Sequence, residues 1–464
     1  MSRTNPFQSF SEVSSRQWKQ RIQADLKGAD YNESLVWESP EGISVKPFYH
    51  AEDLEEDTLF RPLPSRKWKI GQQIFAGVPE SANARALEVL KRGVESLFFT
   101  IPSGDINLKG LLNGIDLKTT SIHFRFQFLS ARYLRTAADM LHAKSTAIHL
   151  NVDPVGYLAR TGNWFGNRDN DLELLGEVLD YFSDREQCRV LGVDMSLYQN
   201  AGANTVQQLA YGMAHANEYL NKYYRDGANR RSWSGITFQV STGSNYFFEI
   251  AKLRALRILW ERLADAYGLP GDCHIMAWPT RRNKTLYEYN TNMLRTTMEC
   301  MSAILGGADT VCNLPYDTFY HKDNEFGERI ARNQLLILKY ESHLDKVCNA
   351  ADGAYYIEKL TKQLAEKSLS LFKNIETGGG FLSQLKNHTL QKKIRESAQK
   401  EQHLFNDGKE VLVGANAYQN LNDRMKETLE LYPFLKANPG KTLIAPIFEK
   451  RLSEDWEQER LRYE

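Results

Sequence analysis

SLFFTI (96–101), followed at intervals of about 25 residues by SIHFRFQ (121–127) and AIHLNVD (147–153), is the stretch whose reading decides the fold. Each run is short, rich in β-branched and aromatic residues, and bounded by turn-forming or helical sequence, as expected of strands in βα units. Further candidates are RVLGVDM (189–195), GITFQVS (235–241), HIMAW (274–278) and DTVCNL (309–314), with a weaker eighth near KVCNAADGAYY (346–356). Helical stretches such as NTVQQLAYGMAHANEYLNKYY and NYFFEIAKLRALRILWERLADAYG lie between them. Eight βα units over about 300 residues fit a closed (β/α)8 TIM barrel better than an open doubly wound sheet.

Outside these units the pattern changes. Trp18, Ile22 and Leu26 recur at helical spacing after Ser15, and Gly28 ends that stripe. LVWESPEGISVKPFYHAEDL then carries Pro40 and Pro47 among alternating apolar positions, which reads as an extended arm. Beyond residue 386 the chain is rich in Lys, Glu, Gln and Asn, and LNDRMKETLELYPFL (421–435) has leucines at helical spacing. The organisation expected is an N-terminal helix and arm over 1–84, a barrel over 85–385, and a helical C-terminal tail of about two helices over 386–464.

Composition excludes several classes of function. The 464 residues contain 58 Lys plus Arg and 58 Asp plus Glu, so no basic excess marks a nucleic-acid or anionic membrane partner. No apolar run approaches the ~18 residues of a membrane span, and the N-terminus lacks a secretory h-region, which points to a soluble cytoplasmic protein. Cys188, Cys273, Cys300, Cys312 and Cys348 form no C-x-x-C pair and read as reduced, core-filling thiols.

Motifs for phosphate loops, dinucleotide folds, zincins and nucleophile elbows are missing. GGGF (378–381) follows a helix and reads as a helix stop. EDLEED (52–57) reads as a solvated charged face, and no close histidine pair suggests a metal; His142 and His149 are seven apart in different elements. GDCHIMA (271–277) approaches the cobalamin signature D-x-H-x-x-G, but Ala277 replaces its glycine and His274 opens a barrel strand. From the residues alone, the catalytic, cofactor-binding and metal site sets are all empty.

Longer matches carry the reading further. EGISVKPFYHAEDL (41–54), QNAGANTVQQLAY (199–211), FFEIAKLRALRILWERL (247–263), RIARNQLLILKYES (329–342), ADGAYYIEKLT (351–361) and VGANAY (413–418) occur in fixed order over about 40–420. In this the chain resembles the small subunits of the adenosylcobalamin-dependent methylmalonyl-CoA mutase family, which interconverts succinyl-CoA and methylmalonyl-CoA. The resemblance implies the same barrel. It also marks departures from the family's catalytic chains, whose G-Y-H-x-Q-E-A-G-A histidine is thought to hydrogen-bond the substrate thioester.

MSLYQNAGA (195–203) places Leu197 at that histidine, and leucine has no proton to give. FRPLPSRKWKIGQQIFAG (60–77) is too short for the catalytic chains' tyrosine loop, with Gly71 and Gln73 opposite an arginine and a second tyrosine. Too few residues follow Tyr418 to fold a cobalamin-binding domain. The resemblance therefore implies a non-catalytic subunit of a heterodimer, with adenosylcobalamin on the large (alpha) subunit and none on this chain. Trp18, Trp37, Phe48 and Tyr49 are candidate interface aromatics. A free-standing CoA-thioester-binding or regulatory barrel, and an active barrel that borrows cobalamin from a separate protein, are the alternatives.

Overall fold

The structure, a computed structural model, describes residues 9–54, 67–141, 147–183, 185, 187–225, 233, 235–348, 350–435 and 440–464. Eight parallel strands close into a barrel: β1 (Lys69–Phe75), β2 (Ser96–Ile101), β3 (Ser121–Phe126), β4 (Ile148–Val152), β5 (Cys188–Asp194), β6 (Ile236–Thr242), β7 (Cys273–Pro279) and β8 (Thr310–Cys312). β8 pairs with both β7 and β1, so no strand edge remains open. Each strand is followed by helix, giving the (β/α)8 barrel anticipated from the strand runs.

Two of the sequence assignments are corrected. The barrel opens with Lys69–Phe75, ahead of the expected boundary at residue 85, and no strand forms over the described part of 346–356. β1 escapes a search for apolar runs because its inward positions are Lys69, Gly71 and Gln73, while Ile70 and Ile74 face the helices and are buried there. Gly71 is obligatory in this position, since a Cβ would sit 2.4 Å from Cys312 Sγ.

The strands alternate between two environments. Leu97, Phe99 and Ile101, Ile122 and Phe124, Ile236, Phe238 and Val240 point outward and are sealed under helices. A parallel strand buried on both faces reads as a near-continuous apolar run, which is why SLFFTI was legible. The inward positions are recognised by contacts that cross the barrel. Lys69 of β1 donates to Ser121 of β3, His149 of β4 meets Thr237 of β6, and Arg125 of β3 reaches Gln239 of β6.

The axis is filled. Phe98, Met276, Trp278 and Cys312 form one buried cluster in its middle, with the Phe98 and Trp278 rings edge to face at 5.3 Å. Below it lie His123, His149 and His274, and above it Arg125 and Gln239.

The arm rests on the barrel helices. Ser14, not Ser15, caps the helix Ser15–Asp25, through a capping box with Gln17. A two-stranded hairpin, Trp37–Glu38 with Ser44–Val45, follows. Glu41 accepts the Thr205 N–H and Pro40 carbonyl accepts from Asn204, both at the start of the helix Thr205–Tyr223. GGGF does end a helix, Tyr355–Thr377, with Gly379 and Gly380 in the left-handed region.

The tail holds the helices Thr389–Asn406 and Glu454–Arg462, but 421–435 is a series of turns despite its leucine spacing. There the Met425 and Lys426 N–H groups donate to the Glu464 carboxylate instead of to carbonyls one turn back, and Pro433 blocks propagation. From 440 onward the chain crosses the C-terminal end of the barrel. Leu443 and Ile444 N–H donate to Gly162 carbonyl after β4, Lys450 to Asn200 after β5, and Leu452 to Arg282 after β7. Gly162 has φ +80°, and a Cβ would lie 2.5 Å from Ile444 carbonyl oxygen, so only glycine lets this strap lie so close.

Candidate functional site

Barrel enzymes place their chemistry at the C-terminal ends of the strands. Here that end holds a cavity of about 470 Å³, lined by Arg125, Asn151, Asp153, Tyr157, Arg160 and Asp194, among others. The helix Pro154–Thr161 forms its wall because Asp153 caps the Gly156 N–H and Pro154 occupies the first helical position.

The charges in it are paired with one another. Asp194 Oδ2 accepts from Arg125 Nη2 at 3.1 Å and Arg160 Nη2 at 2.8 Å, while Oδ1 accepts from the Ser196 backbone and hydroxyl. Arg160 also pairs with Glu449 of the strap at 3.1 Å, and Arg125 donates to Gln239 at 2.6 Å. Burial by itself would raise the Asp194 pKa, but the two guanidiniums outweigh it and hold the carboxyl below its usual range. Arg160 is pushed up, its burial overcome by Glu449 and Asp194. Neither group is poised to exchange a proton near neutrality.

A second constellation has the outline of a catalytic triad. Asp153 Oδ1 accepts from His215 Nε2 at 2.8 Å and from Tyr219 hydroxyl at 2.6 Å, and Tyr198 hydroxyl meets His215 Nδ1 at 2.9 Å. His215, Tyr198 and Tyr219 are fully buried, and burial drives both phenols well above their ordinary pKa. Asp153 alone reaches the cavity, so the network clamps the helix Thr205–Tyr223 to β4 and β5 and offers no nucleophile to a ligand.

These networks give a pH dependence. Asp194 and Asp153 both have folded pKa values below the ordinary carboxylate value of about 3.9. The unfolded chain therefore takes up protons first, and the stability they contribute is complete above about pH 4 and lost as pH falls below it. Urea midpoints measured down to pH 3 are expected to drop more steeply in the native sequence than in Asp194→Asn; parallel curves would contradict the assignment.

The residues singled out from sequence distribute as follows. Leu197 lies buried in the short helix Ser196–Asn200 after β5 and takes no part in lining the cavity. Gln73 donates weakly to Thr100 at 3.5 Å, and Gly71 has no space for any side chain. Trp18 packs on Phe48, Trp37 on Phe248 and Tyr49 on Tyr356, yet Trp18 and Trp37 remain about half exposed. Cys188, Cys273, Cys300 and Cys312 are buried in the core, and burial pushes the Cys188 thiol up to about 12. Lys46 pairs with Asp53 at 2.6 Å, whereas 55–57 of the acidic run, the segment 60–66 and His142 lie outside the described residues.

Adenosylcobalamin does not fit the one histidine that resembled its ligand. His274 points into the barrel at the start of β7, with Nε2 3.1 Å from Thr310 Oγ1 and its ring 4.2 Å from that of His149. What linear spacing did miss is that His123, His149 and His274, from three strands, lie together with donor atoms within 4.8 Å. Both ring nitrogens of His123 and Nε2 of His149 lack a hydrogen-bond partner, an arrangement that costs about 1–3 kcal/mol for each buried polar group. Inward alternation on β3, β4 and β7 was the available signal.

Among the described residues no helix is long and apolar enough to cross a membrane. Residues 105–451 match the family described as methylmalonyl-CoA mutase. The methylmalonyl-CoA mutase small subunit of Porphyromonas gingivalis is 34% identical over 90% of this chain and 71% of its own length. The small subunit of Streptomyces virginiae is 29% identical over 93% and 74%. The methylmalonyl-CoA mutase of Cereibacter sphaeroides is 28% identical over 89% of this chain, which spans 65% of that protein. The filled barrel, the ordered motifs and these matches agree: the chain belongs to the methylmalonyl-CoA mutase family of isomerases.

Proposed function

We propose that this chain is the non-catalytic small subunit of a heterodimeric methylmalonyl-CoA mutase, docked on a large catalytic subunit that carries the adenosylcobalamin. The observation that carries this reading is the packed barrel interior. Phe98, Met276, Trp278 and Cys312 occupy the axis, and above them the Arg125, Asp194 and Arg160 charges satisfy one another. A radical rearrangement needs a closed space beside the cofactor and a donor for the thioester. The plugged axis and the mutually paired charges support a barrel without such a site, and Leu197 stands where the family resemblance implies the thioester histidine. The names of two of the relatives support a subunit role.

The test is co-expression with the large subunit of a mutase of this family. A one-to-one complex is expected, with turnover of methylmalonyl-CoA that needs the large subunit and is unchanged by Leu197→Ala here. The isolated chain is expected to show no turnover with added adenosylcobalamin. Turnover by the isolated chain, or failure of the two chains to associate, would refute the proposal.

A further inference from the structure

The histidine cluster has no part in the subunit role just proposed, and it sits at the opposite end of the barrel from the cavity. His123 is the third residue of β3, and His149 and His274 are the second residues of β4 and β7, so all three lie in the N-terminal half. Their ring centroids are separated by 4.0 Å (His123 to His149), 4.2 Å (His149 to His274) and 5.1 Å (His123 to His274). His123 and His149 are completely buried, and His274 keeps 13% of its side chain exposed, which leaves an access route from the N-terminal opening.

We propose that this cluster is a divalent transition-metal site, with His123, His149 and His274 as its three protein ligands and Zn2+ as the ion whose preferences they fit.

Buried polar groups without partners single this cluster out. A core that only needed filling would use apolar side chains, as the adjacent Phe98, Met276 and Trp278 layer does. Instead three ring nitrogens of two wholly buried imidazoles face no hydrogen-bond partner. A metal ion supplies that partner for one nitrogen of each ring, Nε2 in His149, whose Nδ1 already meets Thr237. The outer shell is present as well. Thr237 Oγ1 lies 2.8 Å from His149 Nδ1, and Thr310 Oγ1 lies 3.1 Å from His274 Nε2, contacts of the kind that fix tautomer and ring orientation in metal sites.

Lys69 donates to Ser121 and faces Glu95, Arg189 pairs with Asp272, and Asp309, 3.9 Å from His274 Nδ1, pairs with Arg257.

Three imidazoles select Zn2+ or its neighbours in the first transition row over Mg2+ or Ca2+, which take oxygen donors. Tetrahedral Zn–N bonds of about 2.0–2.1 Å require donors about 3.3 Å apart, so binding draws the rings inward and breaks the parallel stack of His123 on His149. A fourth position is left for water or a small anion.

The full chain, stripped with a chelator and titrated with Co2+, is expected to bind one equivalent and develop the visible bands of a four-coordinate site, which Zn2+ then abolishes. Zn2+ is also expected to raise the Tm of the native sequence. His149→Gln and His123→Gln are expected to lose more than about 100-fold in affinity, Thr237→Val about 10–100-fold, and His388→Gln nothing. Where a histidine variant fails to fold, Thr237→Val and the Tm response of the native chain decide. Absence of a one-equivalent site, no Tm rise, or affinity unaltered in the cluster variants overturns the proposal. None of these outcomes bears on association with a large subunit, so the two proposals fail separately.

Discussion

Glu457→Ala is expected to destabilise the protein by about 3–5 kcal/mol and to release the C-terminal strap from the barrel mouth. Glu457 is fully buried and pairs with Arg451, itself 3% exposed, at 2.5 Å. Its other oxygen accepts from the Ser453 hydroxyl at 2.7 Å and from the Leu286 N–H of the loop after β7 at 2.8 Å. Arg451 in turn donates to Lys284 carbonyl at 3.1 Å and lies over Phe319.

Removing the carboxylate strands a guanidinium in a desolvated site and orphans two donors, which is why the expected loss exceeds that of an ordinary surface pair several-fold. Denaturant melts give the magnitude. Limited proteolysis or hydrogen exchange over 440–464 locates the effect, since the strap's bonds to Gly162, Asn200 and Arg282 depend on this anchor for register. A loss below about 1 kcal/mol, with the strap still protected, would show that the anchor lies elsewhere. Glu457→Gln keeps the shape and two acceptor contacts and should cost less.

The second large effect is expected from hollowing the axis. Phe98→Ala should cost about 3–5 kcal/mol, and Trp278→Ala a similar amount, because the rings fill the barrel where neighbouring strands are too constrained to collapse. The pair is in edge-to-face contact, so the double variant should fall short of additivity, its cost less than the two combined. The functional corollary separates packing from chemistry. Opening the axis is expected to leave the isolated chain without mutase turnover, since space alone supplies no thioester donor. Gain of turnover on truncating Phe98 or Trp278 would mean that bulk was the sole obstacle, against the reading built on Leu197.

How much of this was legible beforehand follows from what each residue faces. Strands such as SLFFTI and GITFQVS announced themselves because their outward side chains are buried under helices and are therefore apolar. β1 did not, because Lys69, Gly71 and Gln73 answer to the interior of the barrel, where polarity and space depend on strands far along the chain. The 421–435 segment misled for the converse reason. Its leucine spacing is helical, but the Glu464 carboxylate, brought in from the chain end, takes the backbone donors a helix would have used.

Sequence by itself determined the barrel class, the family and the substitution of Leu197, because repeated βα periodicity and long ordered motifs are properties of linear order. Tertiary structure alone decided that the axis is plugged, that Asp194 is neutralised by two arginines, and that three histidines meet. His123 and His149 are register partners on adjacent strands, and closure of the barrel brings His274 across to them, an encounter that spacing along the chain does not encode.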